Sequence, residues 1–275
     1  VDCLVVESPQ SMANRLEATA WDPLENRPVE VFDGLPWVRV MREDGEYVTS
    51  SRTEAHRLAS AFVKEATLDS TAMLDVIGER LGLTEDRPLA PREIAAAVFA
   101  LDPFCLVHGV FFADKKWPGQ PKIARALTGG IDAVNVKRAE SGGVKRDHVR
   151  HSITDTGGSS EGFGSIPFHR TEFTAAEIVA NFSIDRAQLR SYGLPDDATD
   201  LLFSIARWAL RSLLDGPMRL RTACDLEASD LESLEKDLGA LDALTSEVRS
   251  GIAACSALVG DGAPIDVVWA PAKKK

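Results

Sequence analysis

An apolar run at residues 2–7 gives way within three residues to a period near four, with Met12, Leu16 and Ala20 on one face. The run predicts a strand, and the periodic stretch predicts a helix over 9–21. VEVFDGLPWVRVMREDGEYVTS reads as short strands with turns at Asp33-Gly34 and Asp44-Gly45. Three helical stretches follow: 51–65, 69–81 ending at Gly82, and 91–101, whose Pro91 suits a first helical turn. FCLVHGVFF, 104–112, is almost continuously apolar and predicts a buried strand.

Between 113 and 165 the pattern is lost to Gly, Ser and basic residues, with Gly129-Gly130, Gly142-Gly143 and Gly157-Gly158. Extended hairpins or a mobile lobe are expected there. Beyond it the pattern predicts a strand at IPFHRTEF, a helix at 174–181, a short helix at DRAQLRSYG and a strong helix at 197–214. That last helix starts at an acidic cap and stops at Gly216-Pro217. Residues 218–224 alternate like a strand, with Arg219 and Arg221 on one face. A helix at 229–258 and a strand at IDVVWA complete the series. Strands and helices do not alternate regularly, so the fold class is α+β: one sheet domain over 1–275 with helices on one side and an inserted lobe.

At 275 residues the chain can bury a substantial core. No run approaches the roughly 18 to 20 apolar residues of a membrane span, so no membrane partner is expected. The chain opens on Val with a strand already under way, which predicts further residues upstream. Cys3, Cys105, Cys224 and Cys255 are far apart, with no metal-ligand spacing. Reduced, mostly buried thiols and a cytoplasmic location are the expectation, and no cofactor is implied.

The net charge of −11 argues at first against a nucleic-acid partner. Its distribution changes that picture. Residues 115–151 hold nine Lys or Arg against three acids, a local balance of +6 that leaves −17 for the remainder. One face meeting a polyanion would explain the segregation, and so would a solvated basic loop.

Four constellations could meet such a partner. At the opening helix, Ser8, Gln10 and Ser11 add donors to the unpaired backbone N–H groups, and Gln10/Asn14 and Ser11/Arg15 stack one turn apart. An ordinary cap with an exposed polar face fits the same residues. Around the 104–112 run stand His108, Lys115, Lys116, Lys122 and Arg125, with Trp117 among the lysines. Bases stack on aromatics in such settings, although Trp117 as a packed rim residue is equally ordinary and a histidine within a strand, as at His108, is more often a core residue. In VKRAESGGVKRDHVRH, Lys137-Arg138 and Lys145-Arg146 flank a Gly-Gly turn, an arrangement suited to a phosphate backbone. The last group is His169 and Arg170 with Arg219 and Arg221, where at least one arginine of each pair is expected to bridge nearby acids.

No metalloprotease, nucleophile-elbow, P-loop or dinucleotide motif is present. His56, His108, His148, His151 and His169 leave a metal-independent ribonuclease pair open, but nothing in the spacing brings two of them together.

ESPQSMANRLEA, HGVFF, ARALTGGIDAVNVKRAESGGVK, IPFHRTEFTA, DRAQLRSYGL and MRLRTACDLE, in that order and spacing, resemble the repeat-associated (RAMP) backbone subunit of the CRISPR Cascade complex, type I-G, formerly I-U. The resemblance covers about residues 5–227. It implies an RRM-like, ferredoxin-like palm, a helical finger insertion at 51–101 and a Gly-rich basic thumb at 113–165. It further implies a non-catalytic protein that polymerises head to tail along the spacer of a CRISPR RNA and presents the guide to target DNA. Other Cascade subunits and a recruited nuclease-helicase would be its partners. Related subunits carry a helix of S-x-Q-x-x-K-R character against guide phosphates. Ser8 and Gln10 match it, and Asn14 stands where a Lys is common, with Arg15 beside it to compensate. RNA-cleaving relatives use a thumb-side acid, for which Asp114 and Asp132 are the nearest candidates. The alternative within the same system is an endoribonuclease processing repeat RNA through His108 or His169.

Overall fold

A computed structural model describes residues 2–146, 164–220 and 225–270. The expected helix-strand mixture is present, and the chain divides into two compact units. One comprises 1–8 and 130–181, the other 9–129 and 182–275.

The first unit contains most of a three-stranded sheet, and a long hairpin. Leu127–Val134 is the middle strand, with Cys3–Glu7 on one side and Glu177–Ile184 on the other. Burial along the middle strand alternates through Leu127, Gly129, Ile131 and Ala133, as one covered sheet face requires. Residues 177–184 form a strand, not the helix expected at 174–181. EIVANFSI is rich in β-branched and aromatic residues, and an adjacent strand completes its hydrogen bonding.

The hairpin pairs Lys137–Lys145 with Ile166–Thr174 through nine residues in unbroken register. Gly142-Gly143 is therefore not the turn between two basic arms. The two glycines lie within a strand opposite His169 and Phe168, so both Lys-Arg pairs belong to one arm or its end. The Gly157-Gly158 segment, His148, Arg150 and His151 lie outside the described residues.

The second unit is built on a five-stranded sheet in the order Tyr47–Ser50, Trp37–Met41, Pro264–Val268, Thr67–Leu68, Thr71–Ala72. Pro264–Val268 runs parallel to Trp37–Met41, and Arg39 grips Asp266 across the pair at 2.6 and 2.7 Å. The turn before this strand passes against another backbone. A Cβ on Gly262, at φ +63°, would overlap the Gly34 carbonyl, so no side chain fits there.

Helix Asp196–Leu214 is the apolar spine of this unit. Ala198, Leu201, Leu202, Ile205, Ala206 and Ala209 face the core, and helix Leu241–Ala254 packs along it. Phe32 meets Phe104 and Trp208 edge-on, each with a centroid separation of 4.9 Å. The helix expected at 229–258 is three pieces, Leu231–Leu238, Leu241–Ala254 and Ser256–Val259. Gly239, at φ +99°, ends the first. Within the 51–101 stretch the helices are Ala61–Glu65, Met73–Arg80 and Pro91–Leu101, and the small hairpin Thr67–Ala72 separates the first two.

The run at 104–112 is a helix over Phe104–His108 before a short strand at Val110–Phe111. A short run buried on every side carries no period that separates the two states. What starts this helix is Asp102, wholly buried at the end of Pro91–Leu101. Its carboxylate accepts from the Phe104 backbone N–H at 3.1 Å and from Ser51 Oγ at 2.6 Å, and it lies 2.8 Å from Arg52 Nε. Arg52 is also buried, stacked 3.5 Å over the Phe104 ring. Cys105 and Cys255 are buried, whereas Cys3 is exposed on the outer strand of the first unit. Cys224 lies outside the described residues.

Removing one partner of a buried pair leaves a desolvated charge, which costs about 3–5 kcal/mol. Asp102→Ala should lower unfolding free energy by about that amount in a urea titration, and a loss under ~1 kcal/mol would contradict this account of the Asp102 cluster.

Candidate nucleic-acid interface

The exposed cations expected from sequence are found in three settings. The hairpin of the first unit is the most open, since every described residue in its two strands is exposed except half-buried Ala139. Directly paired residues share a face, and faces alternate along each strand. One face therefore holds Lys137, Lys145, Phe168 and Arg170. The other holds Arg138, His169 and Phe173.

Each face sets a cation beside an aromatic ring. Arg170 lies 5.9 Å from the Phe168 centroid, and Phe173 is directly opposite Arg138. Phe168 covers Gly143, where an added Cβ would lie 3.2 Å from the ring's Cζ. The glycine thus gives the ring room to lie across the strand. Acids answer part of the charge: Arg138 meets Glu140 at 2.6 Å, His169 lies 3.8 Å from Glu140, and Arg170 lies 3.9 Å from Glu172. Lys137, Lys145 and Arg146 make no ion pair with a described residue.

The opening helix, Pro9–Ala18, is the second setting. It starts at Pro9, where a missing N–H is harmless. Met12, Ala13 and Leu16 bury one face, which leaves Gln10 and Asn14 exposed and Ser11 and Arg15 half-buried. Arg15 Nη1 donates to the Arg219 carbonyl at 3.2 Å, which brings these two candidates together. Arg219 is itself exposed, 4.0 Å from Asp225 across a two-residue strand pair. Ser8 is half-buried at the end of the first unit, and Arg221 lies outside the described residues.

The third setting separates residues that are close in sequence. Lys115, Lys116 and Lys122 are exposed, but Trp117 is 2% exposed, not a stacking platform. Its Nε1 donates to the Leu74 carbonyl at 2.8 Å and its ring meets Phe112 edge-on, so it closes the core beneath this loop. Asp114, an acid considered for cleavage, accepts from Lys64 Nζ at 2.9 Å and from the Lys116 N–H at 3.0 Å. That backbone hydrogen bond and Lys64 hold its carboxyl below the usual range. Asp132 is half-buried in the middle strand of the other sheet.

His108 is also misplaced for contact with a nucleic acid. It is 1% exposed and stacked on Phe104, with Nδ1 3.7 Å from Glu17. Glu17 is gripped by Arg57, and Arg52, Ser51 and Asp102 complete the lining of a cavity of about 10 Å³, room for one water. Burial, reinforced by Arg57, Arg52 and Arg125, holds the imidazole well below its ordinary 6.5, so it is neutral. Burial pushes the Glu17 carboxyl up, against the pull of Arg57. Nothing in the apolar pattern announces this cluster, because its members come from three separate segments. The signal that was available is the isolated Asp102 closing an apolar helix.

The sign of the pH dependence follows from the buried histidine. As pH falls through 6.5 the unfolded chain binds a proton at residue 108 and the folded chain does not, so acid favours unfolding. Between pH 6.5 and 5.5, His108→Gln should lose about 1 kcal/mol less stability than the parent in urea titrations. Equal losses would contradict a neutral buried ring.

Residues 1–138, half the chain, match the family model described as CRISPR-associated protein GSU0053. No curated protein matches the chain. The matched region takes in the opening strand and helix, the Asp102–His108 cluster and the first residues of the hairpin. This chain belongs to the CRISPR-associated protein GSU0053 family.

Proposed function

We propose that this CRISPR-associated protein is a guide-RNA-binding backbone subunit of a type I-G Cascade complex, without catalytic activity of its own. The observation that carries the reading is the hairpin of 137–145 and 166–174, exposed on both faces, with aromatic rings beside cations on each. A two-stranded hairpin is marginal alone in water, and both faces lack a core. A single-stranded guide offers what they lack: phosphates for Lys137, Lys145 and Arg146, and bases to lie on Phe168 and Phe173. In this reading the hairpin is the thumb, and the RRM-like palm takes in the sheet of 3–7, 127–134 and 177–184.

Gln10 and Asn14 on the opening helix supply hydrogen bonds to guide phosphates more than charge. Lys115, Lys116 and Lys122, exposed on the second unit, supply charge. The protein reads backbone and shape, and pairing between guide and target DNA reads sequence. Copies assemble head to tail with the other subunits, and cleavage falls to a recruited nuclease-helicase in the cytoplasm. The alternative role is repeat-RNA cleavage through His108 or His169; burial of the His108 ring disfavours the first, and His169 stands exposed beside Glu140 with no second histidine among the described residues of its unit.

Combined Lys137→Glu, Lys145→Glu and Arg146→Glu should weaken binding of a guide-length single-stranded RNA at least tenfold in fluorescence anisotropy. Three lost phosphate contacts should also make the log–log salt slope shallower by about 2. Unchanged affinity and slope would overturn the assignment to this hairpin. Repeat RNA incubated with the parent protein should stay intact.

A further inference from the structure

The second unit carries an apolar projection and an apolar groove whose charges are opposite. The projection is Leu24, 89% exposed, the most exposed large apolar side chain among the described residues. It sits at the tip of a small hairpin in which Trp21 pairs with Pro28 and Asp22 with Arg27. The tip is held in shape. Asp22 Oδ1 accepts from the Leu24 N–H at 2.9 Å and the Glu25 N–H at 3.3 Å, Pro23 fixes the intervening φ, and Asn26 turns the chain at φ +51°. A tip so fixed loses little entropy when it docks. Its charge is negative. Asp22 and Glu25 flank the leucine, while Arg27 is engaged by Glu30 and Asp33 at 3.7 and 3.6 Å.

The groove has a volume of about 310 Å³, and Leu89, Ile94, Ala95 and Ile123 supply apolar lining. Its polar side chains are satisfied internally. Gln188 Nε2 donates to the Ala124 carbonyl at 2.6 Å and to Tyr192 Oη at 2.9 Å, and Tyr192 Oη donates to the Leu106 carbonyl at 2.8 Å. The groove therefore asks an occupant for apolar surface more than for hydrogen bonds. Among the described residues of its lining, Lys122 alone is charged and none is an acid.

We infer that the Leu24 tip of one copy docks in the 89–95/121–124/188–192 groove of the next, with Asp22 and Glu25 toward Lys122. The two surfaces differ, so the contact is heterologous and can repeat without closing into a pair. One leucine in one groove is below the roughly 1,000 Å² of a stable interface, so it anchors a larger contact. The inference rests on the head-to-tail backbone reading above and names the surfaces for it.

The test is cross-linking of the full chain in its purified assembly, with nucleic acid content measured in the same sample. Leu24→Cys with Ser191→Cys, in a Cys3→Ser and Cys224→Ser background, is treated with a short bismaleimide. Both sites are exposed, so folding should be preserved. A ladder of trimers and longer species, absent from either single variant, supports the contact, as does a tenfold or greater fall in parent self-association on Leu24→Asp. RNA-bearing assemblies that give no ladder and ignore Leu24→Asp overturn the contact and leave the guide-binding reading standing. Cross-linking that stops at dimers also overturns it. A ladder in assemblies lacking RNA supports the contact and contradicts guide binding.

Discussion

Much of the second unit depends on one buried carboxylate. Asp102 closes one helix, opens the next through the Phe104 N–H and takes its countercharge from Arg52, itself pressed on the Phe104 ring. A charge so placed is tolerable only while every partner holds, so the pair dictates the path of 51–57 and of 102–108 together. The opening helix joins the same arrangement through Glu17 and Arg57. The consequence for function is subtractive. His108, which the sequence left open between a core histidine and a group for chemistry or RNA contact, is enclosed by this cluster and kept neutral.

In the guide-binding reading, contact with RNA therefore falls to surfaces that the core does not claim. The hairpin of 137–145 and 166–174 has no interior side, and its rings and cations are held in place by the strand ladder and by glycine at the point where Phe168 crosses. On the opening helix the same division appears within ten residues. Met12, Ala13 and Leu16 are spent on the core, and Gln10 and Asn14 remain outside. Membership of a CRISPR-associated family and an open, two-faced basic hairpin are the observations on which the guide-binding reading stands.

The sequence pattern was most legible where one face of an element is buried and the other wet. The opening helix, 91–101, 197–214 and 264–268 are of that kind, and their periods survive in the structure. It was least legible where burial is complete or absent. Residues 104–108 are enclosed on all sides and 177–184 depend on a neighbouring strand, so neither has a period that separates helix from strand. The hairpin arms were anticipated as basic, but Gly142-Gly143 misled as a turn, because glycine also marks a strand position covered by a ring. Trp117 misled in the same way: flanking lysines advertise exposure that the indole does not have. Gln10, Asn14, Lys115, Lys116 and Lys122 are exposed, whereas the Asp102 cluster emerges only once distant segments meet.

The most direct test of the central claim is the nucleic acid content of the assembly purified with its partner subunits. The account predicts RNA of defined length, retained in low salt and lost steeply as salt rises. A fully assembled complex free of nucleic acid would contradict it.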